Sequence, residues 1–315
     1  MARQTEVRRL TVSRCCVSPI KLETVRSFPL LVLLFCSPGI NPATSGGQAA
    51  SGPASAADAQ APSQQALVQR ALAAELRAAQ THDHPMRFLL RKTSPRLTTT
   101  KDILETKDGL VARLVSINDK PLTAEDMEKE EARLNALLTD PSLQQHRRQS
   151  EDQDTGRALK VLRALPRAFL FEYEGTGASG AVEKFRFHSN PDFSPPDLES
   201  QVLTQMSGEL WVDPVHERVT HLDGHLIQDV DFGWGILGRL NKGGWISIDQ
   251  SEVGENQWRV VHFKMGMTGR VLFKNRSFDT TEDESRFEPL NIGLDYRKAI
   301  EMLRSAPAIP PRGGR

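Results

Sequence analysis

Gly208-Glu-Leu-Trp-Val-Asp213, Val219 to Phe232, Trp245-Ile-Ser-Ile-Asp-Gln250 and the long run from Trp258 through Phe278 decide the fold of this chain. They are rich in Val, Ile, Phe and Trp, and Asp213-Pro214, Gly243-Gly244 and Gly254-Glu-Asn-Gln257 break them apart. Runs of that composition between such breakers predict an antiparallel meander. In its middle lies one glycine cluster, Gly233-Trp-Gly-Ile-Leu-Gly-Arg-Leu-Asn-Lys-Gly-Gly244.

That cluster spells two motifs. Gly233-x-Gly235-x-x-Gly238 matches the dinucleotide pattern, and Asp231-Phe232-Gly233 matches a kinase triplet. The first needs a helix opening at the third glycine, with its N–H groups aimed at pyrophosphate. Here only a short glycine-broken segment separates Gly238 from the strand expected at Trp245, and Glu252, at the distance of a ribose-binding acid, falls on the wrong kind of element. The second needs a glycine loop far upstream and a His-Arg-Asp loop between, and the chain has no His-Arg-Asp. No nucleotide is therefore expected. Gly233, Gly235, Gly238, Gly243 and Gly244 are instead expected to be structural, allowing positive φ or close strand approach at a bend.

Outward from the meander, the N-terminus reads as a leader over 1–48. Arg8, Arg9, Arg14, Lys21 and Arg26 precede the apolar run Phe28-Pro-Leu-Leu-Val-Leu-Leu-Phe-Cys36. A run of about nine residues is too short to span a bilayer and suits a signal-peptide core. Ala43-Thr-Ser45 and Gly47-Gln-Ala49 are candidate cleavage sites. Two alternatives stay open: an uncleaved anchor, and lipidation of Cys36, against which the bulky Phe35 argues. The expected compartment is the periplasm.

All three cysteines (Cys15, Cys16, Cys36) fall in the leader, so the mature chain carries no disulfide, thiolate nucleophile or cysteine metal site. Residues 1–50 hold six Lys/Arg and two Asp/Glu, leaving 34 against 38 of the 40 of each sign and a net charge near −4. A mildly acidic body argues against nucleic acid as a partner.

Residues 49–65, rich in Ala, Ser, Pro and Gln, read as a tether, and 305–315 as a tail. The 66–304 segment is enough for one core. Ser63 to Thr81 carries Val68, Leu72, Leu76 and Ala79 at helical spacing, with Arg70, Glu75 and Arg77 elsewhere. Strands are expected over 86–92, 97–105 and 110–117, and a helix over 124–138 capped by Thr123 with Asp126 and stopped by Asp140-Pro141. The charged run 144–154 reads as a solvated helix extension or loop, 156–165 as a short helix ended by Pro166, and 168–174 with 181–188 as a hairpin. Strands with a few inserted helices and no β–α alternation give an α+β fold: an open antiparallel half-barrel sheet wrapped over helices, in a single domain.

Two sets of residues are candidate sites. Alternation places Val261, Phe263, Met265 and Met267 on one face of the last strands, with Arg259, as either core or the lining of a pocket for a flexible apolar ligand. His221, Asp223, His225, Asp229 and Asp231 share a parity on one strand, where they are either a solvent face or part of a metal site; alternate residues about 7 Å apart bring only neighbours to one ion. His82-Asp83-His84 lies at a helix end, where histidine complements the dipole. No Gly-x-Ser-x-Gly, His-Glu-x-x-His or Walker loop occurs, and no cofactor is expected.

Asp223 through Gly244, Met267-Thr-Gly-Arg-Val-Leu-Phe-Lys274 and Gly109-Leu-Val-Ala-Arg-Leu-Val-Ser-Ile-Asn-Asp-Lys-Pro-Leu122 together resemble an uncharacterised family of bacterial exported proteins over about residues 66–290. Its layout is similar to the lipoprotein-carrier (LolA/LolB-type) superfamily. The resemblance implies a periplasmic, non-enzymatic protein that shelters a lipid or lipid-modified partner in its concavity; no carrier residue matches a position here. Two readings compete with this one. One is a structural or assembly partner of envelope proteins; the other is a metal-dependent hydrolase centred on His221, Asp223 and His225.

The leader predicts cleavage between Ser37 and Ala50. Intact-mass measurement of the protein from its native host tests this; a mature form that retains Cys15 and Cys16 refutes it.

Overall fold

The structure, a computed structural model, describes residues 60–81, 83–233, 238–254, 256–271 and 274–306. The leader, most of the tether, His82, Gly235 and the tail beyond 306 lie outside the described residues.

Four α-helices, one 3₁₀ turn and thirteen strands are described. Helix α1 (Gln60–Gln80) precedes β1 (Met86–Thr93), β2 (Thr98–Thr106), β3 (Gly109–Ile117) and β4 (Lys120–Pro121). Helices α2 (Ala124–Thr139) and α3 (Pro141–Ala168) follow, then β5 (Phe169–Thr176), β6 (Glu183–Ser189), a 3₁₀ turn (Glu199–Gln205), β7 (Met206–Asp213) and β8 (Arg218–Leu226). The chain ends with β9 (Val230–Phe232), β10 (Gly238–Leu240), β11 (Trp245–Glu252), β12 (Trp258–Val271), β13 (Lys274–Pro289) and α4 (Tyr296–Ser305). All strands join one open antiparallel sheet in the order β4-β3-β2-β1-β13-β12-β11-β8-β7-β6-β5, with β10 beside β12 and β9 beside β10. Three meanders are thus stitched together by two non-consecutive pairings, β1 with β13 and β8 with β11.

Four boundaries differ from the sequence expectations. Helix α1 starts at Gln60, inside the expected tether, because Gln and Ala favour helix once Leu67, Val68, Ala71 and Leu72 bury one face. The run 144–154 and the segment ending at Pro166 form one helix, α3. Asp140 stops α2 with its backbone N–H bonded to Ala136 and starts α3 by accepting from Ser142 N, with Pro141 at the first helical position. Pro166 sits in the last turn, so α3 continues to Ala168. Helix α4, capped by Asp295, falls where no helix is expected, at the end of the 66–304 segment, and overlaps the expected tail only at Ser305. Finally, β13 runs on to Pro289 through a stretch of alternating charge. The capping box of Thr123 and Asp126 is present as expected.

Helices cover opposite faces of the sheet at its two ends. On the concave face, α1, α3 and the 3₁₀ turn bury Phe185, Phe187, Leu210, Leu226, Ile246 and Phe263. On the reverse face, α2 and α4 bury Leu104 and Val111 with Leu134, Ile300 and Leu303. Register explains the change: Leu104 pairs with Arg87, whereas Lys92, which pairs with Glu282 beside Phe263, has the other parity. Concave-facing Phe88 stacks on Phe287 at 5.7 Å between these two zones.

A bulge in β12 shifts the alternation that the sequence implies. Asp249 pairs with His262 and Gln250 with Val260, which leaves Val261 as the extra residue. Val260, rather than Val261, packs against the cluster of Phe263 and Met267.

Strand β10 settles the glycine motif. Gly238 opens a strand paired with β9 and β12, not a helix, so no dinucleotide unit forms there. Gly233 and Gly243 adopt φ of 55° and 82°, the conformations glycine permits. The closest strand approach lies elsewhere: a Cβ at Gly208 would stand 1.8 Å from the Asp223 carbonyl oxygen. Gly208→Ala should therefore destabilise by about 1–3 kcal/mol through backbone displacement. Gly156 lies inside α3, where a Cβ would meet nothing within 4 Å. It gives the opposite expectation, a gain of about 0.5–1 kcal/mol on change to Ala. Urea unfolding of both variants measures the contrast, and equal effects would refute it.

Candidate functional site

The concave side carries a cavity of about 700 Å³. Its walls are the end of α1, the middle of α3 (Arg148 to Thr155), the β2–β3 turn, the β11–β12 hairpin and the loop at 292–294. It lies where the concave-face packing of α1 and α3 gives way to the reverse-face packing of α2 and α4. Its volume falls within the range of small-molecule sites.

Three buried or half-buried acids brace the walls. Glu75 on α1 accepts from Arg218 Nε and Nη2 at 2.9 and 3.0 Å and from Val219 N at 3.0 Å. Glu105 on β2 accepts from Met86 N at 2.9 Å and faces Arg259 Nη2 at 3.4 Å, which also donates to the His84 carbonyl at 2.8 Å. Glu151 on α3 accepts from Arg147 at 2.7 Å and from Leu110 N at 3.1 Å, tying α3 to the β2–β3 turn. Each pair is formed by groups far apart in sequence or held one helical turn apart, and each acid accepts from a backbone amide as well. That satisfies the carboxylates and offsets part of their desolvation.

Trp258 forms the centre of the hairpin wall. Arg218 lies over its ring at 5.6 Å and the His216 ring stands at 5.5 Å. Trp258 is 9% exposed, and its indole Nε1 has no acceptor among the described residues; the same holds for Arg259 Nε. Two buried donors of the wall are thus left without a protein acceptor among the described residues. At the mouth stand Arg77, Lys107 and Arg148, all exposed, for which no ion pair is found among the described residues, with Asp83 and Asp152 nearby in the same wall.

The residues expected from sequence go elsewhere. Phe263 and Met267 are 2% and 7% exposed within the main core cluster, Met265 packs against that cluster, and Val261 sits at the bulge. None of the four lines the cavity. His221, Asp223 and His225 do share the reverse face of β8, as their parity implies, but they are engaged separately. His221 Nδ1 meets Asp249 at 2.6 Å and His225 Nε2 meets Ser207 Oγ at 3.1 Å. Asp229 and Asp231 both hold Arg239, whose guanidinium keeps the Asp231 carboxyl below the usual carboxylate range. Among the described residues no cluster of three His, Cys, Asp or Glu is placed to hold a metal. His84 stands 3.7 Å from Asp83.

His221 belongs to a larger arrangement that sequence alone does not reveal. Lys184, Trp211, His221, Asp249, His262, Asp283 and Arg91 are successive cross-strand neighbours from β6 to β1 on the reverse face. Lys184 Nζ lies 4.1 Å from the Trp211 ring, the Trp211 and His221 rings meet at 4.6 Å with their planes tilted, and His262 meets Asp283 at 2.8 Å. Arg91 links Asp283 to Asp119, holding the latter's carboxyl below its ordinary value. Cross-strand pairs of this kind stabilise a sheet locally.

The wall residues Glu75, Arg218 and Trp258 are not evident from composition. One sign was available for Glu75: it stands seven residues after Val68 and three after Leu72, on the buried stripe of α1, where it is 7% exposed. The expectation that placed Glu75 on the polar side of α1 is corrected accordingly.

No protein-family profile, curated protein or solved structure matches the chain.

Breaking the α1 anchor gives a direct stability test. Glu75→Ala leaves Arg218 buried without its partner and should cost about 3–5 kcal/mol. Arg70→Ala, which removes a 2.6 Å pair to Glu217 whose side chains are 52% and 38% exposed, should cost less than about 1 kcal/mol. Chemical denaturation of the two variants decides; a Glu75→Ala loss as small as that of Arg70→Ala refutes the anchoring role.

Proposed function

We propose that the chain is a non-enzymatic, exported binding or carrier protein that takes an amphiphilic ligand, a lipid or the lipid-modified end of another protein, into the cavity between α1, α3 and the β11–β12 hairpin. The observation that carries this reading is the cavity itself, about 700 Å³ of space on the concave side of an open sheet. Ala79, Leu110, Val260 and Leu294 supply apolar wall, while the braced ion pairs and exposed basic groups supply a polar one. A surface of both kinds suits a ligand of both kinds.

The leader supports export, and the layout supports comparison with lipoprotein carriers. Among the described residues no helix is long and apolar enough to cross a membrane. The hydrolase reading has less support, because His221 and His225 are each held by a different neighbour and point to no shared centre. The apolar ligand surface expected on Phe263, Met265 and Met267 is replaced in this reading by the cavity wall, since those side chains belong to packed core.

Filling the cavity tests the proposal. Ala78, exposed in the cavity wall near the end of α1, can be changed to Trp without disturbing the buried stripe. A fluorescent fatty acid should bind the wild-type protein at micromolar concentration, and Ala78→Trp should weaken it by about tenfold or more at unchanged Tm. Failure of the wild type to bind any acyl probe, or equal binding by Ala78→Trp, would sink the reading.

A further inference from the structure

The cavity wall is rich in hydrogen-bond donors, and three of its exposed basic side chains form no ion pair among the described residues. Five basic and five acidic side chains contribute to it: Arg77, Lys107, Arg148, Arg218 and Arg259 against Glu75, Asp83, Glu105, Glu151 and Asp152. Within the wall Glu75 is taken by Arg218 and Glu105 by Arg259, while Glu151 is taken by Arg147 from outside it. Arg77, Lys107 and Arg148, on three different elements, are left without an ion pair among the described residues, with Asp83 and Asp152 as the wall's remaining acids. Lys107 also acts on Asp295, which caps α4. Asp83 stands 3.7 Å from His84.

Independently of charge, the buried part of the wall contains two unmatched donors. The Trp258 indole N–H and the Arg259 Nε–H have no acceptor among the described residues, although Trp258 is more than nine-tenths buried. A buried donor without an acceptor costs about 1–3 kcal/mol, and an oxygen brought in by a ligand recovers part of that. Both nitrogens are themselves buried, so contact with a ligand requires each side chain to turn toward the cavity. Trp258 is flanked there by the Arg218 guanidinium and the tilted His216 ring.

We infer that the cavity selects ligands bearing an acidic oxygen group, a carboxylate or a phosphate, held at the mouth by Arg77, Lys107 and Arg148 and backed by the N–H donors of Trp258 and Arg259. This rests on the binding function proposed above and names the head group of its ligand. Arginine and lysine together suit either anion: guanidinium matches the two oxygens of a carboxylate or phosphate, and ammonium acts as a point charge. A neutral head group of equal size forms no ion pair with these three side chains.

The test compares dodecanoate, dodecyl phosphate, dodecanol and inorganic phosphate by calorimetry on the full mature chain, below the micellar range of each amphiphile. Dodecanoate and dodecyl phosphate should bind about tenfold tighter than dodecanol at low salt, and the gap should narrow as salt screens the mouth. The triple variant Arg77→Gln, Lys107→Gln, Arg148→Gln should close most of the gap while leaving dodecanol affinity unchanged. Trp258→Phe should remove a ligand-induced change in tryptophan emission. Inorganic phosphate bound as tightly as dodecyl phosphate, and lost in the triple variant, would uphold the acidic head group and overturn the amphiphile. Equal affinities for the acid, the phosphate and the alcohol would overturn the head-group inference and leave the cavity reading standing. Absence of binding by all four would overturn both.

Discussion

The Glu75 carboxylate is the contact on which the concave side depends. One helix on the inner face of an open sheet is free to slide along it, because apolar burial is non-directional. Glu75 removes that freedom by accepting a forked pair of bonds from Arg218 and a third from the Val219 amide. The same Arg218 then lies over Trp258, so α1, β8 and the β11–β12 hairpin are fixed together by two side chains. Glu151 does the corresponding work for α3, accepting from Leu110 N in the β2–β3 turn. Two helices that contribute to the cavity wall are thereby each tied to the sheet by a buried carboxylate, while they pack on each other in the main core.

The architecture follows from where the sheet buries apolar surface. An antiparallel sheet needs cover on one face only, and the other is left to water. Here the covered face changes from one end to the other: concave under Phe185, Leu210 and Phe263, reverse under Leu104 and Val111. Leu104 and Ile103 are adjacent in β2 and both fully buried, on opposite faces. Such a change cannot be abrupt in a closely packed interior, so a zone remains that neither helix pair fills. The cavity occupies that zone.

Much of this is legible from residue pattern. Period-two alternation with Val, Ile, Phe and Trp marks the strands from β5 to β12, and turn residues such as Asn118-Asp119, both at positive φ, mark where they reverse. Pattern fails where partners distant in sequence override local chemistry. Asp279-Thr-Thr-Glu-Asp-Glu-Ser-Arg286 has no apolar alternation, yet it is strand because Asp283 meets His262 and Arg91 while Glu282 meets Lys92. The run 144–154 has the composition of a solvated segment, but Arg147 and Glu151 fold inward to the β2–β3 turn. The bulge at Val261 leaves no mark in the sequence either, and it moves the inward position to Val260. Charge predicts surface, and at Glu75 and Glu151 bonds from distant backbone amides, Val219 N and Leu110 N, hold the carboxylate inward instead.

The same contrast bears on where the site lies. Apolar stripes such as Phe263 and Met267 resemble ligand surfaces, but complete burial is what a folded core requires of them. A binding site must retain groups whose interactions are incomplete without a ligand, and in this molecule those are polar. The His221–Asp249 and His262–Asp283 pairs of the reverse face are already matched neighbour to neighbour along a row. The concave cavity differs: its bracing acids are satisfied, while part of its donor set is not. The proposed selection for an oxygen-bearing partner rests on those unmatched donors, Trp258 Nε1 and Arg259 Nε, and needs no apolar pocket to open in the core.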